Sequence, residues 1–259
     1  IILIGGNMKE KLNDLVNKKW FHIVIMVIIL AVLMFILGIT ILKYNVEGET
    51  NMPFNLTKIS IISTAEGTDK HSDTNKWAFD ISQNNDIFLY IEKNENYKKT
   101  EALKSVLIDN INVNKQKQIG QTIIYKPDAT SENQIFTTKD ENIVNTIEYV
   151  GDTKSNFREL KILNQGDKLA FRVANKDVCS YESNDEETIN HNELLKKANL
   201  TKEDISLNLS FDITISLETG KQYKGTVTLE LPVGNIIDEG TGKLEITDFS
   251  NVIFKRIKN

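Results

Sequence analysis

The sequence predicts a mainly β protein: one N-terminal transmembrane helix followed by an extracytoplasmic antiparallel β-sandwich, jelly-roll-like or Ig-like. Three observations predict this. Residues 23–42 run without a charge or a strong polar group; as a helix rising 1.5 Å per residue, such a run is roughly 30 Å long, the thickness of a bilayer's hydrocarbon core. Beyond residue 55, apolar side chains recur at every second position, the period of a strand with one buried and one wet face. Turn residues punctuate these runs at the spacing of an all-β sandwich.

The apolar run must be helical to span lipid alone, because only a helix satisfies its own backbone groups there. Lys9, Lys11, Lys18 and Lys19 precede it, whereas Lys43, Glu47 and Glu49 follow. That asymmetry predicts a cytoplasmic N-terminus and an extracellular C-terminal domain. Trp20, Phe21 and Tyr44 flank the span, where amphipathic rings favour the interface. A cleaved signal peptide has an apolar core of about 7–15 residues and an A-x-A-like site; this run is longer, and Val46 and Gly48 make a poor site. The span has no ionisable residue to mark an ion path, no GxxxG, and no acidic residue near its start of the kind that marks pilin subunits. The predicted segments are a short cytoplasmic tail at 1–19, the transmembrane helix at 20–43, a juxtamembrane linker at 44–54 and the β domain at 55–259. Gly5-Gly6 can be encoded by a ribosome-binding sequence just upstream of the Met8 codon, so Met8 is the expected start and residues 1–7 the expected leader.

Lys and Arg number 31 against 36 Asp and Glu, a net charge of −5. The cations are scattered, without the basic patch of a nucleic-acid surface. Cys179 is the one cysteine, so no internal disulfide forms, and its expected role is that of a small apolar residue.

In chain order, the strand candidates are Ile59–Ile61, Trp77–Ile81, Asp86–Glu92, Val106–Val113, Thr122–Tyr125, Ile147–Val150 and Leu169–Val173. The spacing in the fourth slips from two to three between Ile108 and Ile111, which predicts a bulge. Ile205, Leu207, Leu209, Phe211, Ile213, Ile215 and Leu217 alternate without a break; the turn Glu218–Lys221 and a second alternation from Tyr223 to Leu231 follow. This predicts a long antiparallel hairpin whose register is fixed, since a one-residue slip would expose its whole apolar set. Leu244, Ile246, Val252 and Phe254 predict a final strand. Asn192–Ala198 predicts a short helix, and Thr201–Asp204 resembles a capping box. Phe79-Asp-Ile81 recurs as Phe211-Asp-Ile213; two fused half-sandwiches would produce such an echo, and alternation between amphipathic strands is the favoured source of it.

Catalytic patterns are scarce. His71 and His191 have no second ligand at helical spacing, no GxSxG or HExxH occurs, and Cys179 lacks the flanks of a thiol protease. Gly240-Thr-Gly-Lys243 lacks the first Gly and the Ser/Thr of a phosphate loop and is read as a hairpin turn. Asp80, Asp109 and Asp212 lie between inward-facing neighbours and point outward as solvating charges. Ser183–Glu187 lacks the alternating ligands of a calcium loop. No catalytic, cofactor-binding or metal-binding residue is therefore assigned, and no cofactor is expected.

Asp86-Ile-Phe-Leu-Tyr-Ile-Glu92 and Ile124-Tyr-Lys-Pro127, behind the apolar span, resemble uncharacterised single-pass membrane proteins of AT-rich Gram-positive bacteria. The resemblance implies a bacterial exported β domain and carries no activity. The expected function is a non-enzymatic, membrane-anchored binding or assembly module, with the lipid bilayer as one partner through one helix and an envelope protein or glycan as another. The alternative is a cell-envelope carbohydrate-active enzyme using paired carboxylates, which need acids about 5–10 Å apart in a cleft. A sensor is disfavoured by the short tail.

Overall fold

The computed structural model describes residues 16, 18–49, 52–70, 77–153, 159–183 and 190–257. The proposed leader at 1–7, Lys9, Lys11, His71 and most of the Ser183–Glu187 cluster lie outside the described residues. The chain divides into two compact units, residues 1–47 and 48–259.

The first unit is built on helix α1 (Lys19–Glu49). Its stretch Lys19–Thr40 is long and apolar enough to cross a membrane, and none of it is buried. An all-round apolar surface has no wet face to present to water. Thr40 closes its own polarity by donating its hydroxyl to the Ile36 carbonyl at 2.8 Å. The helix runs through Tyr44–Glu49, half of the predicted linker, because nothing there breaks it.

The second unit is mainly β. Its strands are β1 (Phe54–Asp69), β2 (Ala78–Lys93), β3 (Leu103–Lys115), β4 (Gln121–Tyr125), β5 (Ile147–Gly151), β6 (Leu160–Ile162), β7 (Gly166–Glu182), β8 (Leu207–Leu217), β9 (Gln222–Leu231), β10 (Thr241–Ile246) and β11 (Lys255–Ile257). Helices α2 (Leu194–Lys197), α3 (Lys202–Ile205) and α4 (Ile236–Glu239) are single turns. One sheet has the order β10-β1-β2-β7-β4 and the other β11-β9-β8-β3-β5-β6. Every pairing is antiparallel except β5–β6, which is parallel. The predicted wholly antiparallel arrangement is corrected at that point. β6 is three residues long, too short for alternation to announce it.

The hairpin β8–β9 pairs from Leu207↔Leu231 to Ser216↔Gln222, as its alternation predicts. The bulge predicted in β3 is present between Asp109 and Asn112, with Asn110 at φ 50. The capping box forms: the Thr201 N–H and hydroxyl both donate to the Asp204 carboxylate, at 2.7 and 2.6 Å. Four expectations are corrected. Phe79–Ile81 and Asp86–Glu92 belong to one strand, β2, with Trp77 just before it, because Ser82-Gln-Asn-Asn85 continues the ladder instead of turning. Ile205 ends α3 rather than opening β8. The expected final strand is corrected: Leu244 and Ile246 lie in β10, Val252 and Phe254 lie in no strand, and β11 follows them in the other sheet. Gly240 ends α4 in the left-handed region at φ 66 while Thr241–Lys243 join β10, so Gly240–Lys243 is a helix cap and a strand, not a hairpin turn.

The main core takes side chains from both sheets, including Ile59, Ile61, Leu89 and Phe171 from the first and Val106, Leu209, Phe211 and Ile215 from the second. The Phe171 and Phe211 rings meet edge to face, 5.2 Å apart. A smaller core gathers Phe79, Ile81 and Val178 under Leu194, Leu195, Ile205 and Ile236 of the short helices. On the opposite face of the first sheet, Phe136 covers Phe88, Ala170 and Tyr125 in a third cluster. The echoing segments fall in different cores, Phe79 in the smaller and Phe211 in the main one.

Candidate functional site

The most unusual feature is a polar seam in the first sheet, set among the rows of apolar side chains on β1, β2 and β7. Gln83 pairs with Asn175 across β2 and β7, Asn175 with Thr122 across β7 and β4, and Ser63 with Asn85 across β1 and β2. Ser63, Gln83 and Asn85 are fully buried and Asn175 nearly so. Half of the seam is closed. The Ser63 hydroxyl donates to Asn85 Oδ1 at 2.7 Å and accepts from the Val233 N–H at 3.0 Å, while Asn85 Nδ2 donates to the Val173 carbonyl at 3.1 Å. The other half is open: Gln83 Oε1, Asn175 Nδ2 and Thr122 Oγ1 find no partner among the described residues. Buried polar atoms are normally paired, and these three depart from that rule.

Lys115, the last residue of β3, joins this seam from the other sheet. Its ammonium donates to Asn175 Oδ1 at 2.8 Å and to the Ile119 and Gly120 carbonyls at 2.9 and 2.6 Å. Burial holds its pKa below the usual lysine value. Gly120 turns at φ 69 where a Cβ would lie 2.5 Å from the Lys176 carbonyl, so the loop closes around the ammonium only with glycine. Lys115 also borders a groove of about 620 Å³ that touches Lys202, Glu230, Val233 and Leu244. A second groove of about 700 Å³ lies between Met52–Thr57 and the segment Thr247–Phe254.

The carboxylates expected to point outward are engaged with cations. Asp80 pairs with Lys70 at 2.6 Å and accepts from the Ser180 hydroxyl at 2.6 Å; the bonds from Lys70 and then Ser180 hold its pKa down. Asp109 and Asp212 face each other across β3 and β8, and both reach Lys224, at 3.5 and 3.0 Å. Burial pushes the Asp212 carboxyl up, but bonds from Thr226, Asn110 and Lys224 outweigh it and leave the pKa below the ordinary value. A general acid needs the opposite shift. Asp128 accepts from Thr130 and Thr137 and pairs with Lys139 at 2.8 Å, pinning the segment that carries Phe136. Glu101, buried, ties Lys221 and Thr219 of the β8–β9 turn to the loop before β3, at 3.1 and 2.8 Å. Asp86 and Arg172 form a two-bond fork on the outer face of the first sheet.

His191 packs edge to face on Phe79, 5.6 Å between rings, beside the smaller core. Cys179 lies half-buried against that core, and burial, helped by the Asp80 charge, pushes its thiol up to about 11. Among the described residues no three His, Cys, Asp or Glu come together as a metal site. Sequence reasoning missed the seam and Lys115. The available signal was Ser82-Gln-Asn-Asn85, four polar residues joining two apolar runs without the Gly or Pro of a turn. A scan against protein-family models, a search of curated proteins and a search of solved structures each found no match.

Proposed function

We propose that this chain is a single-pass, membrane-anchored binding or assembly module of a bacterial envelope, without catalytic activity of its own. In this reading α1 crosses the lipid bilayer with its N-terminus in the cytoplasm, and the β unit is an extracytoplasmic sandwich. The observation that carries it is the division of the chain into an apolar rod, open on every side, and a β unit with its own cores. Lys18 and Lys19 before the rod and Glu47 and Glu49 after it support the orientation. The repeated crossing of the chain between the two sheets favours a jelly-roll-like sandwich over an Ig-like one. The use of Asp80, Asp109, Asp128 and Asp212 as ion-pair partners supports binding or assembly over glycan hydrolysis.

The test is crosslinking in intact cells with a membrane-impermeant amine reagent, followed by extraction of the full chain. Adducts of higher mass that require detergent for release are the expected result. A chain released by carbonate without detergent, or recovered only as the uncrosslinked monomer, overturns the reading.

A further inference from the structure

The four ends of the two sheets are not equally protected. β4 is closed along its free edge by the Tyr125↔Ile143 bridge and by the bonds of Val144 to Ile124 and of Lys126 to Asn142. β6 and β11 are three residues each. β10 offers six residues, Thr241–Ile246, paired on one side only with β1, and no further strand bonds it among the described residues. Four of the six are exposed, Leu244 among them at 44%. Successive side chains alternate between faces, so Lys243 and Glu245 share one face, where they pair at 3.2 Å, and Leu244 projects on the other.

This edge is complementary to itself. Two β10 strands laid antiparallel about a two-fold axis through Leu244 set Leu244 against Leu244 of the second copy. The same register sets Lys243 against Glu245 of the second copy, and Glu245 against its Lys243. Both charge crossings are attractive, and the exposed leucine is covered by its own kind. A lone edge lysine blunts pairing with any strand; in the Lys-Leu-Glu triplet a register shifted by two residues either way sets like charges opposite each other. An isologous contact of this kind closes at two copies and does not propagate into a fibre.

We propose that β10 is a dimerisation edge and that the partner of this chain is a second copy of itself, joined in a continuous ten-stranded sheet made of two five-stranded ones. The proposal deepens the assembly reading and rests on it. A six-residue edge is a small interface, and anchorage of both copies in one bilayer supplies the effective concentration that makes it sufficient.

The test uses the full chain expressed in cells. Leu244→Cys is treated with a short bis-maleimide, beside the parent chain, which carries Cys179 alone, and beside Lys99→Cys on an exposed loop. A homodimer band specific to Leu244→Cys supports the proposal; its absence overturns it. If Leu244→Cys does not accumulate, co-expressed Lys243→Cys and Glu245→Cys chains, which crosslink to each other in this register, decide the matter in the same way. In the cysteine-bearing chain, Lys243→Glu sets like charges opposite each other at both crossings and lowers the yield about tenfold. Lys243→Glu with Glu245→Lys restores it. Equal yields for the single and double exchanges overturn the register. If the amine reagent yields adducts while position 244 yields none, self-pairing falls and the assembly reading stands; if neither yields any, both fall.

Discussion

Two neighbours in the polar seam should respond to the same kind of substitution in opposite ways. Asn85 is fully buried and its amide is used at both ends, by Ser63 at 2.7 Å and the Val173 carbonyl at 3.1 Å. Asn85→Leu keeps the branched outline with a bulkier side chain, strands the Ser63 hydroxyl proton and weakens the satisfaction of the Val173 carbonyl. Each buried group left without its partner costs about 1–3 kcal/mol, so the loss is about 2–4 kcal/mol. Gln83 is equally buried, yet it makes one long contact of 3.5 Å to Asn85 and leaves Oε1 unpartnered among the described residues. Gln83→Met removes that acceptor and fills the space with a side chain suited to irregular gaps. Its stability should change by less than about 1 kcal/mol, in either direction. Urea denaturation of the full chain in detergent, followed by the β signal in circular dichroism, separates the two cases. With a slope of about 2 kcal/mol per molar, Asn85→Leu lowers the midpoint by roughly 1–2 M and Gln83→Met by less than about 0.5 M. Equal losses would refute the reasoning, because they would mean that the Gln83 amide is as fully bonded as the Asn85 amide.

Three further outcomes follow from the same structure. Cys179 should resist iodoacetamide at pH 7–8 and react as pH approaches its raised value of about 11; the folded thiol keeps its proton above the ordinary value of 9.0, so its contribution to stability is whole below that pH and is lost as pH climbs through 11. Alkylation rate against pH checks this, and a midpoint near 9.0 would contradict it. Gly242→Ala should cost more than about 4 kcal/mol, because its methyl would lie 2.0 Å from the Val233 carbonyl, whereas Gly220→Ala, at φ 82 in open space, should cost about 1–2 kcal/mol; thermal unfolding of the two variants decides. The Asp128 carboxyl is held far below its ordinary 3.8, first by Lys139 and then by Thr130 and Thr137, so the stability it adds is present above pH 3.8 and is lost as pH falls through the lower folded value. Asp128→Ala should remove that acid dependence and speed amide hydrogen exchange across residues 128–142, which mass spectrometry of peptides reads directly.

The parts of this fold that were legible in the sequence are those where one physical signal dominates. An apolar run with no charge leaves only a helix, and the alternation from Leu207 to Leu231 fixes both strands and their register, because any slip would expose leucines and isoleucines. The β3 bulge could be read from a single extra residue between Ile108 and Ile111. What stayed hidden depends on contacts between distant segments. Ser82–Asn85 reads as a polar break between two apolar runs until β7 and β1 supply its bonds, and Lys115 looks like a surface cation until the Ile119–Gly120 loop wraps it. Gly240 caps α4 instead of turning a hairpin because Ile236–Glu239 forms a helical turn too short for any periodicity to show. The parallel β5–β6 pair rests on three residues, of which only Ile162 is fully buried.

The proposed membrane anchorage and outward orientation of the β unit are tested most directly by cysteine accessibility in intact cells. Lys99→Cys, on an exposed loop of the β unit, is placed in a full chain whose half-buried Cys179 is replaced by alanine, and the cells meet a maleimide that cannot cross the bilayer. Labelling of whole cells to the extent seen after lysis is the predicted result. A site that reacts only once the cells are broken would place the β unit in the cytoplasm and contradict the account.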